Sequence, residues 1–344
     1  MSGRIRVAVL AGGRSSEHEI SLASARSVLE ALDPEEYDVV TVAIGRDGRW
    51  ELGAADPDGP SNRLSQGHSA AETLPVPTAS APAALGAVDV VLPILHGPFG
   101  EDGTVQGLLD LADVAYVGAG VAASALCMDK DLFKKVLRES GIRVARSATL
   151  RTGDEIVNPF GYPAFVKPAR LGSSVGITKA HDEDELRAGV ELAFQHDEKI
   201  LVEEFQAGVE VEVGVLGNRD PIASLPGQIV PLGHEWYDYS SKYDAGGMKL
   251  VIPPEDVSEQ TIARVQEVAV DAFRVTECEG MARVDCFVVD DEVVVNELNT
   301  IPGFTSTSVY AKLFEASGVP YRELLRRLID LALERQERRS RLVY

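Results

Sequence analysis

Arg283-Val284-Asp285-Cys286-Phe287-Val288-Val289-Asp290-Asp291-Glu292-Val293-Val294-Val295-Asn296-Glu297-Leu298-Asn299 reads as two strands folded about an acidic turn. Cys286 to Val289 and Val293 to Asn296 form the strands, and Asp290, Asp291 and Glu292 lie between them. The stretch carries two carboxylates and one amide, Asp285, Glu297 and Asn299, near a hairpin where a hard cation finds charged oxygen donors. A metal held by so few protein oxygens keeps its other positions for water and phosphate oxygens, so the pattern points to magnesium and ATP chemistry. Loop length decides which residues meet. A two-residue Asp-Asp turn sets Asp285 opposite Asn296, whereas a three-residue loop sets Asp285 opposite Glu297 and Arg283 opposite Asn299. The three-residue loop is expected, with one residue in the left-handed conformation that Asp tolerates.

The composition agrees with a cytoplasmic enzyme. The chain has 344 residues, enough for two or three domains, and is 45% hydrophobic, enough for several cores. Cys127, Cys278 and Cys286 lack CxxC spacing and read as core thiols in a reducing compartment. The chain opens on Ile5 to Leu10 without a secretory leader, no apolar run is long enough to span a bilayer, and a soluble protein is expected. A net charge of −21 argues against nucleic-acid and anionic-membrane partners, which bind through basic surface. An ATP site must then gather scarce cations locally, and Lys130, Lys167, Lys242 and Arg283 stand beside Gly-, Ser- or Asp-rich segments.

Residues 4 to 45 read as a βαβ opening. Gly12-Gly13-Arg14-Ser15-Ser16-Glu17 follows the first strand, and Ser16 with Glu19 fits a capping box at the start of a helix. Glu17 then sits in its first turn, where it either complements the helix dipole or pairs with a substrate ammonium. Residues 46 to 86, rich in Ala, Pro, Gly and Ser, read as a surface insertion. Val88 to Leu95 resumes the sheet and ends at His96-Gly97-Pro98-Phe99-Gly100-Glu101-Asp102-Gly103, a loop of the kind that lines sites. Gly118-Ala119-Gly120-Val121-Ala122-Ala123, with Glu139 beyond it, matches a dinucleotide fingerprint in form and supports a rival nicotinamide reading. That fingerprint belongs in a first βαβ unit, however, and here it follows a complete earlier one.

A helix from Asp131 to Glu139 leads to a strand at Val144 to Leu150 and then to a smaller α+β unit. Val166-Lys167-Pro168 ends a strand there, and Ala169-Arg170-Leu171-Gly172-Ser173-Ser174 is a loop whose backbone amides can fold over phosphates. GxxxxGK[ST] is absent, so a hairpin rather than a helix start covers them. A helix near Asp184 to Gln195 and a strand from Lys199 lead to Glu203, Glu204 and Phe205, where carboxylates can accept from an adenine amine or ribose hydroxyls. Residues 226 to 254, with Trp236-Tyr237-Asp238-Tyr239-Ser240-Ser241-Lys242-Tyr243, read as a lid. Helix 260 to 273 and the terminal stripe Tyr321, Leu324, Leu325, Leu328 are core-packing elements, and Glu334 to Arg341 reads as a charged tail.

Taken in order, Gly12-Gly13 to Ser21, His96-Gly97 to Gly103, Met128-Asp129-Lys130, Lys167-Pro168 to Gly176, Tyr237 to Tyr243, Arg283 to Asp285 and Asn296 to Ser308 resemble the D-alanine–D-alanine ligase family over nearly the whole chain. The resemblance implies an α/β chain, α+β in its ATP-binding part, with the ATP-grasp fold. Its domains would be residues 1–118, with a parallel βαβ sheet, 119–207 and 208–344, ATP lying between the latter two. It implies that two D-alanine molecules are joined for peptidoglycan synthesis in the cytoplasm by a homodimer, using ATP and two magnesium or manganese ions. Lys130 and Lys167 would contact the α and β phosphates, Ser174 would belong to the loop over them, and Lys242 would reach the γ phosphate. Glu203, Glu204, Phe205 and Glu210 would frame adenine and ribose. Asp285, Glu297 and Asn299 would be the metal ligands, with Glu297 bridging. Glu17 would hold the first substrate's ammonium, Ser173 and Tyr243 would bond each other and Glu17, and Ser308 would grip the second carboxylate. Arg283 and the Gly303 amide would stabilise an oxyanion, with His96 and Glu101 assisting orientation. Leu171 and Glu204 depart from residues common in the family, an acid and a base respectively. A ligase accepting D-lactate is the alternative within the fold, and the Lys242-Tyr243 pair favours an amine acceptor.

Overall fold

Near-continuous apolar runs at the start of the chain demand a strand buried on both faces, and that is how the first sheet is built. The structure, a computed structural model, describes residues 3–54, 74–76, 88–172, 174–232 and 247–343. Ser173, Lys242, Tyr243 and the aromatic stretch around Trp236 lie outside the described residues. The first unit runs β1 (Ile5–Gly12), α1 (His18–Ala31), β2 (Tyr37–Ile44), β3 (Trp50–Ala54), β4 (Leu74–Val76), β5 (Val90–Ile94), α2 (Thr104–Leu111) and β6 (Ala115–Tyr116). Its sheet order is β4-β3-β2-β1-β5-β6, parallel from β2 to β6 and antiparallel at β3 and β4. The expected insertion therefore contributes two strands at one side of the sheet, β4 forming its edge, and Trp50 is buried against the sheet.

After α3 (Val121–Met128) and α4 (Lys130–Glu139), a second sheet forms from β7 (Ser147–Arg151), β8 (Ala164–Pro168), β9 (Thr178–Ala180) and β10 (Lys199–Glu204), in the order β7-β10-β8-β9. Helix α5 (Glu183–Ala193) covers it with Leu186, Val190 and Ala193 against Val166, Ile200 and Val202. The third sheet, β14-β13-β11-β15-β16 with β12 on β11, comprises β11 (Val209–Gly217), β12 (Ile222–Ala223), β13 (Gly227–Pro231), β14 (Met248–Val251), β15 (Gly280–Val289) and β16 (Glu292–Asn299). Helix α6 (Glu259–Val275) packs Val265, Ala269 and Phe273 into the core beneath it. Helices α7 (Val309–Ala316) and α8 (Tyr321–Ser340) end the fold.

Two sequence expectations are corrected here. The segment Glu334 to Arg341 is not a tail, because α8 continues to Ser340 and buries Arg335. The Arg335 guanidinium stacks on the Tyr116 ring at 4.2 Å and donates to the carbonyls of Gly118 (2.5 Å) and Tyr116 (2.6 Å). The Gly118-Ala119-Gly120 turn is thus plugged by a side chain of the last helix. Gly118 itself adopts φ +94°, a left-handed backbone that favours glycine and needs no dinucleotide, and it packs so closely that a Cβ on Gly280 would meet its backbone nitrogen at 3.0 Å. Helix α1 also lacks the capping box, since Glu17 is its N-cap residue and makes no side-chain cap. Ser15 does the local work instead, donating to the His96 carbonyl (2.7 Å) and accepting from the Glu17 N–H (3.2 Å).

Candidate active site

The hairpin β15–β16 turns through two residues, not three. Asp290 (φ 49°) and Asp291 (φ 63°) are both left-handed, the backbone of a primed two-residue turn, and Val289 faces Glu292. That pairing alone would set Asp285 against Asn296. A bulge between Asp285 and Cys286 restores the alignment: Cys286 faces Val295, Asn296 is the extra residue, and Asp285 faces Glu297 while Arg283 faces Asn299. The expected juxtaposition is present, produced by a bulge rather than by loop length.

Around it the charges are interlocked. Arg283 holds both oxygens of Asp285, each at 2.7 Å, and also reaches Glu212 at 3.0 Å from the neighbouring strand, where Glu212 stands opposite Asp285. The Asn299 amide donates to Asp285 at 2.9 Å, and Lys130 lies 3.4 Å from Glu297. Glu212, buried in a strand of alternating Val and Glu, was not singled out by sequence. Its position beside the ribose candidate Glu210 by a step of two, on the same strand face, is the signal that could have found it.

Between the second and third sheets lies a cleft of about 450 Å³, a size suited to a small ligand. Lys130, Lys167, Ser174, Glu203, Glu204, Phe205, Glu210 and Glu297 all line it. One end is apolar, with Phe165, Ile177, Phe205, Ile229 and Phe287. The other end is a buried charge network. Lys167 donates to Glu203 at 2.5 Å and to the Asn296 side-chain oxygen at 3.3 Å, and Lys134 forms an ion pair with the second Glu203 oxygen at 2.9 Å. Burial alone would raise the Glu203 carboxyl, but Lys134 and Lys167 outweigh it and hold it below its ordinary value. Burial lowers the Lys134 ammonium, against Glu203, which raises it. Lys130 is aimed by the start of α4, where Asp129 caps Leu132 N–H (3.1 Å) and is itself held by buried Lys199. Glu204 turns its carboxylate to Arg146 at the rim, with bonds of 2.6 and 2.9 Å. Lys134 was missed because Lys134-Lys135 resembles a solvated helical face, although its spacing of four from Lys130 puts both on one side of α4.

A second cavity opens on the first unit and is lined by Glu17, His96, Glu101, Arg283, Asn299, Gly303, Ser308 and Met248. Gly172 and Glu297 line both cavities, so the two are joined at the hairpin. Gly172 brings the phosphate-loop candidate against Glu17, since a Cβ there would lie 3.5 Å from its carboxylate. His96 is bonded at both nitrogens, Nδ1 to the Ile301 carbonyl (3.0 Å) and Nε2 to the Ser24 hydroxyl (3.2 Å). A carbonyl can only accept, so Nδ1 carries the proton, and in the neutral ring Nε2 accepts from the Ser24 hydroxyl. Burial agrees, lowering His96 below its ordinary value despite the nearby Glu17. Glu101 accepts from Gly97 N–H (2.6 Å) and Ile301 N–H (3.2 Å), yet burial, with Glu17 beside it, pushes it up to about 8. Ser308 accepts from Thr305 N–H at 3.0 Å and lies against Gly303, where a Cβ would meet its hydroxyl at 3.3 Å.

The arrangement can bring a bound anion, a positively charged group and two facing carboxylates to one junction. Asp285, Glu297 and Asn299 offer hard oxygen donors only, and the cations already beside them show that the pair draws positive charge. Among the described residues no three His, Cys, Asp or Glu side chains converge as a self-sufficient metal site. Two carboxylates and an amide fit a cation that takes the rest of its shell from a ligand.

Comparison with known proteins gives the family. Residues 6–119 match the family model described as D-ala D-ala ligase N-terminus, and residues 135–330 match that described as D-ala D-ala ligase C-terminus. A D-alanine--D-alanine ligase of Natranaerobius thermophilus is 46% identical, over 98% of this chain and 97% of the relative. Among solved structures, the D-alanine-D-alanine ligase from Coxiella burnetii has a TM-score of 0.82 at 37% identity, over 98% of this chain and 96% of that one. The VanG D-Ala:D-Ser ligase from Enterococcus faecalis has a TM-score of 0.86 at 36% identity, over 96% and 100%. The architecture is the ATP-grasp fold, as expected, and the chain belongs to the D-alanine–D-alanine ligase family.

Proposed function

We propose that this protein joins two D-alanine molecules into D-alanyl-D-alanine, with ATP converted to ADP and phosphate, for peptidoglycan precursor synthesis in the cytoplasm. The observation that carries the reading is the bulged register that places Asp285 across from Glu297 where the two cavities meet. The nucleotide occupies the cleft, its base at the aromatic end and its phosphates toward Lys130 and Lys167. The two amino acids occupy the second cavity, where Glu17 supplies a carboxylate for the first ammonium and Ser308 a hydroxyl for the second carboxylate.

A free carboxylate is a poor acyl donor, because amine attack on it must expel oxide. The carboxylate of the first D-alanine therefore attacks the γ phosphorus, giving D-alanyl phosphate, whose phosphate is a good leaving group. The second amine then attacks the acyl carbon and passes through a tetrahedral oxyanion, for which Arg283 and the Gly303 N–H are the donors. Glu212 and Asp285 hold the Arg283 guanidinium in place. Magnesium or manganese, held by Asp285, Glu297 and Asn299, supplies charge neutralisation at the phosphates when bound. Ser173, Lys242 and Tyr243 complete the reading as loop residues over the substrates, and the active form is a homodimer.

Phosphate release from ATP, measured with D-alanine, L-alanine, D-serine and D-lactate in separate reactions, tests nucleotide, stereochemistry and nucleophile together. Release with D-alanine and formation of the dipeptide are expected. Binding of ATP without release under any of these conditions would reject the enzyme reading.

A further inference from the structure

We infer that Lys134 is a positioning residue that fixes the bulge at Asn296, and through it the face-to-face setting of Asp285 and Glu297, from beneath the nucleotide cleft. The inference rests on the metal–nucleotide reading above and deepens it. Lys134 lies on α4, one turn beyond Lys130, with its side chain 1% exposed. Its ammonium engages two groups from different parts of the fold: it is ion-paired with the Glu203 carboxylate at 2.9 Å, on β10, and donates to the main-chain carbonyl of Asn296 at 3.2 Å, on β16.

Asn296 is the residue that β16 has in excess of β15. An extra residue in a strand leaves its own peptide groups outside the ladder, and a buried carbonyl without an acceptor's partner is costly. Lys134 supplies that partner. Lys167 supplies one for the Asn296 side chain, at 3.3 Å, and Glu203 balances both lysines. The neighbouring Val295 is tied separately, its N–H donating to Arg143 carbonyl at 2.9 Å. The bulge is thus clamped by groups of the central unit, and the acidic pair it aligns belongs to the carboxy-terminal sheet. Lys167 is proposed to contact phosphate, so it must share itself with the nucleotide. Lys134 lies deeper and touches no cavity wall among those described, which leaves it to hold Glu203 and Asn296 whether or not nucleotide is bound.

A plain structural counter-ion of Glu203 would matter for stability alone. Three measurements on the full chain separate the two roles: Mn2+ affinity by electron paramagnetic resonance with β,γ-imido-ATP present, amide exchange at Val295 to Asn299, and thermal melting. Lys134→Met keeps the length of the side chain and removes the charge. It should weaken Mn2+ binding by about 10- to 100-fold, the usual cost of losing a group that orients metal ligands. It should also speed exchange at Val295 to Asn299 while β13 and β14 keep theirs. Lys135→Met, on the exposed side of α4, should change neither.

The double variant Lys134→Met with Glu203→Gln removes one cation and the carboxylate together, leaving Lys167 bonded to the Asn296 side-chain oxygen, and keeps the test available should the single variant not fold. It should show the same losses. Unchanged Mn2+ affinity and unchanged exchange in either folded variant, with only the melting temperature lowered, would overturn the inference. If the parent chain binds no Mn2+ with the analogue, the functional reading fails, and the exchange measurement alone then decides whether Lys134 holds the bulge.

Discussion

The nucleotide cleft and the amino-acid cavity share Gly172 and Glu297 but treat charge in opposite ways. In the cleft Glu203 has Lys134 and Lys167 at hand, Glu297 has Lys130, and Glu204 has Arg146. In the cavity buried Glu17 and half-buried Glu101 stand near a histidine held neutral, and desolvation, with Glu17 adding to it, pushes Glu101 upward. The first arrangement gathers positive charge for a polyanion although the chain as a whole carries −21. The second leaves a negative pocket for ammonium groups. Arg283 stands where the two patterns meet, paired with Glu212 and Asp285 of the third sheet and in the wall of the cavity.

Removing that meeting point should have the largest effect. Arg283→Ala is expected to lower kcat by about 10²- to 10³-fold, the scale seen when an oxyanion donor is lost. A near-normal rate in steady-state assays would show that the cavity does not depend on it. Glu17→Gln should separate the two regions: half-saturation for D-alanine rises by roughly 10- to 100-fold, the worth of a hydrogen bond to a charged group, while that for ATP stays within about twofold. Equal changes in both would blur the contrast.

The turn offers a more local test. Asp290→Val forces a β-branched residue into φ 49° and should cost about 1–2 kcal/mol in denaturant unfolding. Turnover should hold within about twofold, because the bulge and not the turn aligns the acids. A large loss of turnover at unchanged stability would return the alignment to the turn.

The smallest effect is expected from pH, since two titrations oppose each other. Glu101 is raised from 4.5 to about 8, so its contribution to stability is complete below 4.5 and is lost as pH rises to about 8. His96 is lowered from 6.5, so its contribution is present above 6.5 and is lost as pH falls. The two oppose between 4.5 and 6.5, and above 6.5 only the Glu101 loss remains. Glu101→Gln should therefore flatten the fall in melting temperature between pH 6.5 and 8. The same fall in the variant would assign it elsewhere.

Legibility in the sequence followed the range of the interaction that fixes each feature. The βαβ opening, the helix at Glu259–Val275 and the acidic hairpin are local patterns, and all were readable from periodicity and composition. The candidate residues on strand ends and Gly-rich loops were singled out as motifs, and Glu17, His96, Lys130, Lys167 and Glu297 line the two cavities. What stayed hidden depends on contacts distant in sequence. The bulge at Asn296 is stabilised by Lys134, which is 162 residues away, and nothing in Val293 to Leu298 announces it. Arg335 looked like part of a charged tail because its acceptors, the carbonyls of Tyr116 and Gly118, are more than 200 residues earlier. Glu212 hid in an alternating strand until Asp285 was placed opposite it and Arg283 within 3.0 Å.

The central claim is that the γ-phosphoryl group passes to the carboxylate of D-alanine at the junction of the two cavities. Carboxylate-labelled D-alanine bearing oxygen-18 tests it directly, with the released phosphate analysed by mass spectrometry. Transfer to the carboxylate predicts that a labelled oxygen leaves with the phosphate each time a dipeptide forms. Dipeptide formation with wholly unlabelled phosphate would contradict it.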